Sequence, residues 1–90
     1  MAQPAIGMLE TRGLVALVCA TDAMLKAAHV KLAGWRKVGS AYCSCYLTGD
    51  TAAVKAAIDV GAAAAKEVGD LVSAEVLPSP HEGLNAILPS

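Results

Sequence analysis

The chain has 90 residues, a formal net charge of −1 and a pI near 6.0, with 56% apolar and 17% charged residues. That balance excludes a polyanion-binding surface, and with three aromatic residues, Trp35, Tyr42 and Tyr46, it leaves no base-stacking platform for a nucleic acid. One small domain over residues 1–90 is expected, and its core is too small to absorb so much apolar side chain.

Nineteen alanines account for part of the mean hydropathy of +0.52. Larger apolar residues also crowd Leu14–Val18 and Leu84–Leu88, so an obligate oligomer is the expectation. No secretory leader is read in Met1–Pro4, because it carries no basic segment. The longest apolar run, Leu14 to Ala20, is far short of a membrane span, so no membrane partner is expected. Three cysteines cannot all pair within one chain, and a reduced cytoplasmic setting is the simplest fit.

In chain order, Ala5–Thr11 reads as a strand with Gly7, Leu9 and Thr11 on one face and Ile6, Met8 and Glu10 on the other. Gly13 breaks it, and Leu14–His29 reads as a helix whose first half is apolar on every side, which predicts burial against more than a sheet. Asp22 and Lys26 are spaced for an i, i+4 ion pair on its charged strip. Val30–Val38 alternates loosely as a second strand. Gly39-Ser40 then marks a hairpin turn, and Ala41–Thr48 is a third strand with Cys43, Cys45 and Leu47 on one face.

Gly49-Asp50 opens a second helix with Asp50 as its expected N-cap. Val54, Ala57, Ile58, Gly61, Ala65 and Val68 form one apolar stripe, and Gly61 predicts close approach to the sheet. Gly69 sits where a C-cap glycine belongs. Leu71–Leu77 reads as a fourth strand ended by Pro78 and Pro80, with a short helix near His81–Ile87. The order β-α-β-β-α-β predicts an α+β, ferredoxin-like fold: a four-stranded antiparallel sheet with two helices on one face and a short C-terminal helix.

No catalytic constellation emerges. Cys43-x-Cys45 lacks the four ligands and wider spacing of zinc or iron–sulfur sites, so reduced core cysteines are expected, with no metal and no cofactor. His29 is read as capping or decorating a helix end, and His81 as a contact for a neighbour. Neither has a nucleophile and an acid arranged around it.

Several motifs taken together carry a resemblance. Gly7-Met8-Leu9-Glu10-Thr11-Arg12-Gly13, Asp22-Ala23-Met24-Leu25-Lys26-Ala27-Ala28, Lys37-Val38-Gly39-Ser40, Gly49-Asp50, Val54-Lys55-Ala56-Ala57, Gly61–Ala65 and Pro80-His81 resemble the hexameric shell proteins of bacterial microcompartments over nearly the whole chain. The resemblance implies a homohexamer that tiles with other copies and other shell proteins around encapsulated enzymes in the bacterial cytoplasm. It implies no enzymatic activity. It further implies a central pore lined by Gly39, Ser40 and Ala41, with Lys37 just outside, passing small polar metabolites. Lys26, Ser79 and His81 fall on the expected hexamer edge.

The chain departs from the family pattern at Ser79, where Arg is frequent, at Arg36, where relatives carry an acid, at Ala41, frequently Gly, and at Cys19, usually Glu. The tight Val68–Leu71 link resembles catabolic shells for ethanolamine, propanediol or choline more than carboxysome shells. A second class stays open at this point, a small oligomeric ferredoxin-like ligand-binding regulator, because this fold hosts many roles.

Overall fold

The computed structural model describes residues 4–88; the remaining positions of the expected 1–90 domain, including most of Met1–Pro4, lie outside the described residues. The elements are β1 (Ala5–Arg12), α1 (Leu14–Ala27), β2 (Lys31–Lys37), β3 (Tyr42–Gly49), α2 (Thr51–Val68) and β4 (Asp70–Leu77), followed by a 3₁₀ turn at Glu82–Ala86. The sheet order is β2-β3-β1-β4 and every neighbouring pair is antiparallel. Each half of the chain is therefore a split β-α-β unit with a strand of the other half between its own two strands, as the element order predicts.

Alternation decides which face is covered. Leu9 lies opposite Cys45 and Thr11 opposite Cys43, and all four are buried under the helices together with Leu47. Met24 of α1 and Val54, Ala57 and Ile58 of α2 complete that core. Burial of each large apolar side chain contributes about 1.5–3 kcal/mol. The other face carries Met8, Glu10, Ser44, Tyr46, Ser73 and Glu75 and stays open.

Glycines set the distances between layers. A β-carbon at Gly7 would stand 2.8 Å from side-chain carbons of both Val54 and Ile58, so α2 lies directly on β1 there. Gly61 plays a different part from the one expected. Its open side is filled chiefly by Met24 of α1, and Leu9 of the sheet is the next neighbour. The small residue thus brings helix to helix first and helix to sheet second.

Other local expectations need correction. Asp50 holds the N-cap position but makes no side-chain cap hydrogen bond; only its carbonyl accepts, from the Val54 amide at 2.9 Å. Gly69 is the C-cap of α2 as expected, its amide donating to the Ala65 carbonyl at 2.9 Å, but it is extended (φ −176°), and its lack of a side chain matters because a β-carbon would stand 2.9 Å from that of Ala16. Val68 is 51% exposed and leaves the buried stripe, which ends at Ala65. Helix α1 ends at Ala27 with Ala28 as its C-cap, so His29 lies beyond it, and of the two roles expected for it the exposed surface one holds. The loose alternation of β2 has a cause: the register shifts between Leu32 and Gly34, and this bulge returns both Leu32 and Trp35 to the helix side.

Candidate functional site

The hairpin between β2 and β3 is tighter than its sequence predicts. Ser40 and Ala41 both have positive φ, 64° and 68°, and Ala41 belongs to the turn rather than to the strand. The Tyr42 amide closes the turn onto the Gly39 carbonyl at 3.5 Å, and the Val38 amide donates to the Tyr42 carbonyl at 2.7 Å. Two consecutive left-handed residues give the primed type of turn that matches strand twist, at a conformational cost for side chains other than glycine.

That conformation is held from outside the hairpin. The Gly13 amide donates to the Ala41 carbonyl at 2.7 Å, while the Gly13 carbonyl accepts from the Thr11 hydroxyl at 3.0 Å. Gly13 itself has φ 103°, which only glycine adopts freely. The end of β1, the start of α1 and the turn are thus tied at one residue. Nothing in the sequence pattern alone announced this link; Gly13 read simply as a strand breaker.

The register places the flanking cations. Lys37 lies opposite Cys43 and so belongs to the helix side, whereas Arg36 lies opposite Ser44 on the open side. Both are exposed, as are Gly39, Ser40 and Ala41.

The other expected residues gather at the far end of the sheet. Lys26 is in the last turn of α1, and its ammonium is 2.8 Å from the Asp22 carboxylate. Hydrogen bonding and charge from Asp22 raise the Lys26 pKa above its ordinary 10.5. Ser79 follows β4 in a recess of ≈ 400 Å³ beside Ala5, Gly49 and Asp50. His81 is exposed, and its Nδ1 accepts from the Gly83 amide at 2.9 Å, which caps the 3₁₀ turn. Strands of 8 residues span about 27 Å. The strand register therefore puts Lys37, Gly39, Ser40 and Ala41 at one end of the strands and Lys26 and Ser79 at the other, with His81 following Ser79 in the chain.

Along one flank runs a groove of ≈ 470 Å³ between α1 and the edge strand β2, lined by Leu14, Val18, Leu25, Leu32 and Trp35. Val18 is 58% exposed and Trp35 54%. The first half of α1 is apolar on every side, and this groove is where the excess goes. The sequence signalled the surplus but not its location.

Cys43 and Cys45 are both free and buried, and Cys19 is free and exposed. Burial pushes the Cys45 thiol above its ordinary 9.0, opposed by a hydrogen bond from Thr21. Among the described residues no group of three or more His, Cys, Asp and Glu is placed to hold a metal ion. Nor is any described helix long and apolar enough to cross a membrane.

Comparison with known proteins gives one answer. The profile of the family described as the BMC domain matches residues 5–80. The shell protein EutM of Salmonella typhimurium is 55% identical over 85 residues, covering 94% of this chain and 88% of that protein. The shell protein PduA of Citrobacter freundii is 49% identical over 89 residues, covering 99% and 96%. A solved microcompartments protein from Desulfitobacterium hafniense superimposes with a TM-score of 0.86 at 34% identity. It matches 96% of this chain, which spans about half (49%) of that longer one.

Proposed function

This chain belongs to the BMC domain family and is a structural shell protein, and from that premise we propose that six copies close into a flat ring with the Gly39–Ser40–Ala41 turns meeting at its centre. Its relatives are shell proteins and not enzymes, and the regulator alternative is not favoured by them. The family assembles with itself and with other shell proteins. Residues 1–90 act as one shell domain, the ring tiles edge to edge around encapsulated enzymes in the bacterial cytosol, and small polar metabolites cross at the centre.

The observation that carries this reading is the segregation of the two residue groups. A slab with a turn at one end and Lys26, Ser79 and His81 at the other has an inner and an outer end. Rotation about an axis beyond the turn converts one Ser40 hydroxyl into a ring of them, and it carries Lys26 to the rim. The flank then meets its neighbour, which supplies apolar cover for Val18 and Trp35 and shields the open edge of β2.

The turn offers hydroxyl and amide groups and no large apolar side chain at its tip, which suits polar solutes. Ala41 adds a methyl there.

Electron microscopy of the concentrated protein tests the reading. Flat sheets or tubes with six-fold tiles are expected; dispersed particles of single-chain size would overturn it.

A further inference from the structure

Histidine is the side chain that ordinarily changes charge between about pH 5 and 8, and the chain has two, His29 and His81. They are placed differently. His81 Nδ1 already accepts from the Gly83 amide at 2.9 Å, so a proton there must displace the bond that caps the 3₁₀ turn. His29 stands beyond the end of α1 and is exposed, and its ring makes no such bond among the described residues.

The surroundings of His29 are charged but balanced. It lines a recess of ≈ 300 Å³ together with Lys31 of β2 and Asp50 at the start of α2. The Asp50 side chain is not spent on capping its own helix, so its carboxylate offsets the Lys31 ammonium. From α1 come Lys26 and Asp22, which offset one another at 2.8 Å. The adjoining recess shares Gly49 and Asp50 and adds Ser79, with no further charge. A neutral imidazole therefore leaves this end of the molecule balanced, and a protonated one gives it a net positive charge.

Position turns that local change into a collective one. His29 lies at the Lys26 end of the strands, which the reading above carries to the rim of the ring. In a flat layer of six-fold tiles a two-fold axis relates neighbours, so each edge meets the same edge of the next ring. A charge gained by one recess then faces the same charge across the contact, and every chain of the ring gains it at once. Like charges brought together across an interface oppose association, most strongly at low ionic strength.

We infer that His29 makes the tiling pH-sensitive: the neutral imidazole permits edge-to-edge contact, and its protonation drives neighbouring rings apart while each ring stays closed. This rests on the ring-and-rim reading above. The turn lies at the other end of the strands, so the contacts nearest the axis are untouched by the added charge.

The test compares wild-type protein, His29→Asn and His29→Lys at low salt, at about pH 8 and about pH 5.5, both above the range in which carboxylates ordinarily gain protons. Sedimentation gives the protein concentration at which sheets appear, and native mass spectrometry gives the number of chains in the unsedimented species. The wild-type threshold is expected to rise at least tenfold on acidification, with rings persisting in solution. His29→Asn should keep its threshold within twofold across the two conditions, and His29→Lys should tile at about pH 8 as poorly as the wild type does at about pH 5.5. A wild-type threshold indifferent to pH, or a pH response retained in full by His29→Asn, overturns the inference and leaves the ring and its rim standing. Removal of the response by His81→Asn instead would also overturn it, by assigning the titration to the other histidine. Rings that tile under neither condition overturn the rim reading, and absence of rings overturns the ring reading itself.

Discussion

Met24 of α1 occupies the notch that Gly61 leaves in α2, so tightly that a β-carbon at position 61 would collide with its thioether. Both residues are buried at the point where the two helices cross above Leu9. The pair sets how closely α1 and α2 lie, and through α1 it sets where the turn-clamping Gly13 stands.

Gly61→Ala should destabilise the chain by about 1–3 kcal/mol, because overpacking outweighs alanine's gain in helix propensity. Thermal or denaturant unfolding measures this. Adding Met24→Ala should cost less in the Gly61→Ala background than alone, since the smaller residue vacates the contested space. Additive costs would mean that the two sites are independent.

Ala41→Gly should stabilise the chain by about 1 kcal/mol. A left-handed non-glycine residue carries a cost of that order, and Ala41 sits at φ 68° with its carbonyl accepting from the Gly13 amide and the Cys43 thiol, bonds that glycine would keep. An unchanged midpoint in chemical denaturation would mean that the turn relaxes in solution.

Under native conditions no more than one thiol per chain should react with a disulfide reagent, and three should react in denaturant. The native one is Cys19. Burial raises the Cys45 pKa, so the folded chain holds that proton more tightly than the unfolded chain does. Its contribution to stability is fully present below the ordinary thiol value of 9.0 and is lost as pH rises through the raised value. Cys45→Ala should therefore flatten the decline of stability above pH 9. The same steep decline in that variant would assign it to another group.

Lys26→Asp should abolish sheets while leaving the ring intact. Lys26 stands at the end of α1 remote from the turn, and Asp22 already supplies a carboxylate beside it, so a second acid reverses the charge of the edge. Microscopy and mass together read the outcome. Loss of the ring itself would place Lys26 inside a subunit contact.

Ser40→Leu should slow exchange of polar metabolites across an assembled shell without unfolding the chain, because position 40 is exposed at the tip of the turn. An unchanged exchange rate would remove Ser40 from the path.

The periodicities carried much of the architecture. Alternation placed Cys43, Cys45 and Leu47 under the helices, and the i, i+3, i+4 spacing picked out Val54, Ala57, Ile58, Gly61 and Ala65 as the inner face of α2. What they could not carry was set by non-local contacts. Gly69 is the expected C-cap, but the reason it must be glycine is its close approach to Ala16, which no local pattern shows. Asp50 has the right type and position for capping, yet its side chain makes no such bond. The shift of the turn toward Ser40–Ala41 depends on the Gly13 amide, 28 positions away from Ala41 in the chain. The candidate residues were legible only as matches to family motifs; their division between the two ends of the slab is a property of the topology.

Native mass spectrometry of the purified protein tests the central claim most directly. The account predicts a dominant species of six times the 9.1 kDa chain, held together by the α1–β2 flank. A dominant monomer or trimer would contradict it.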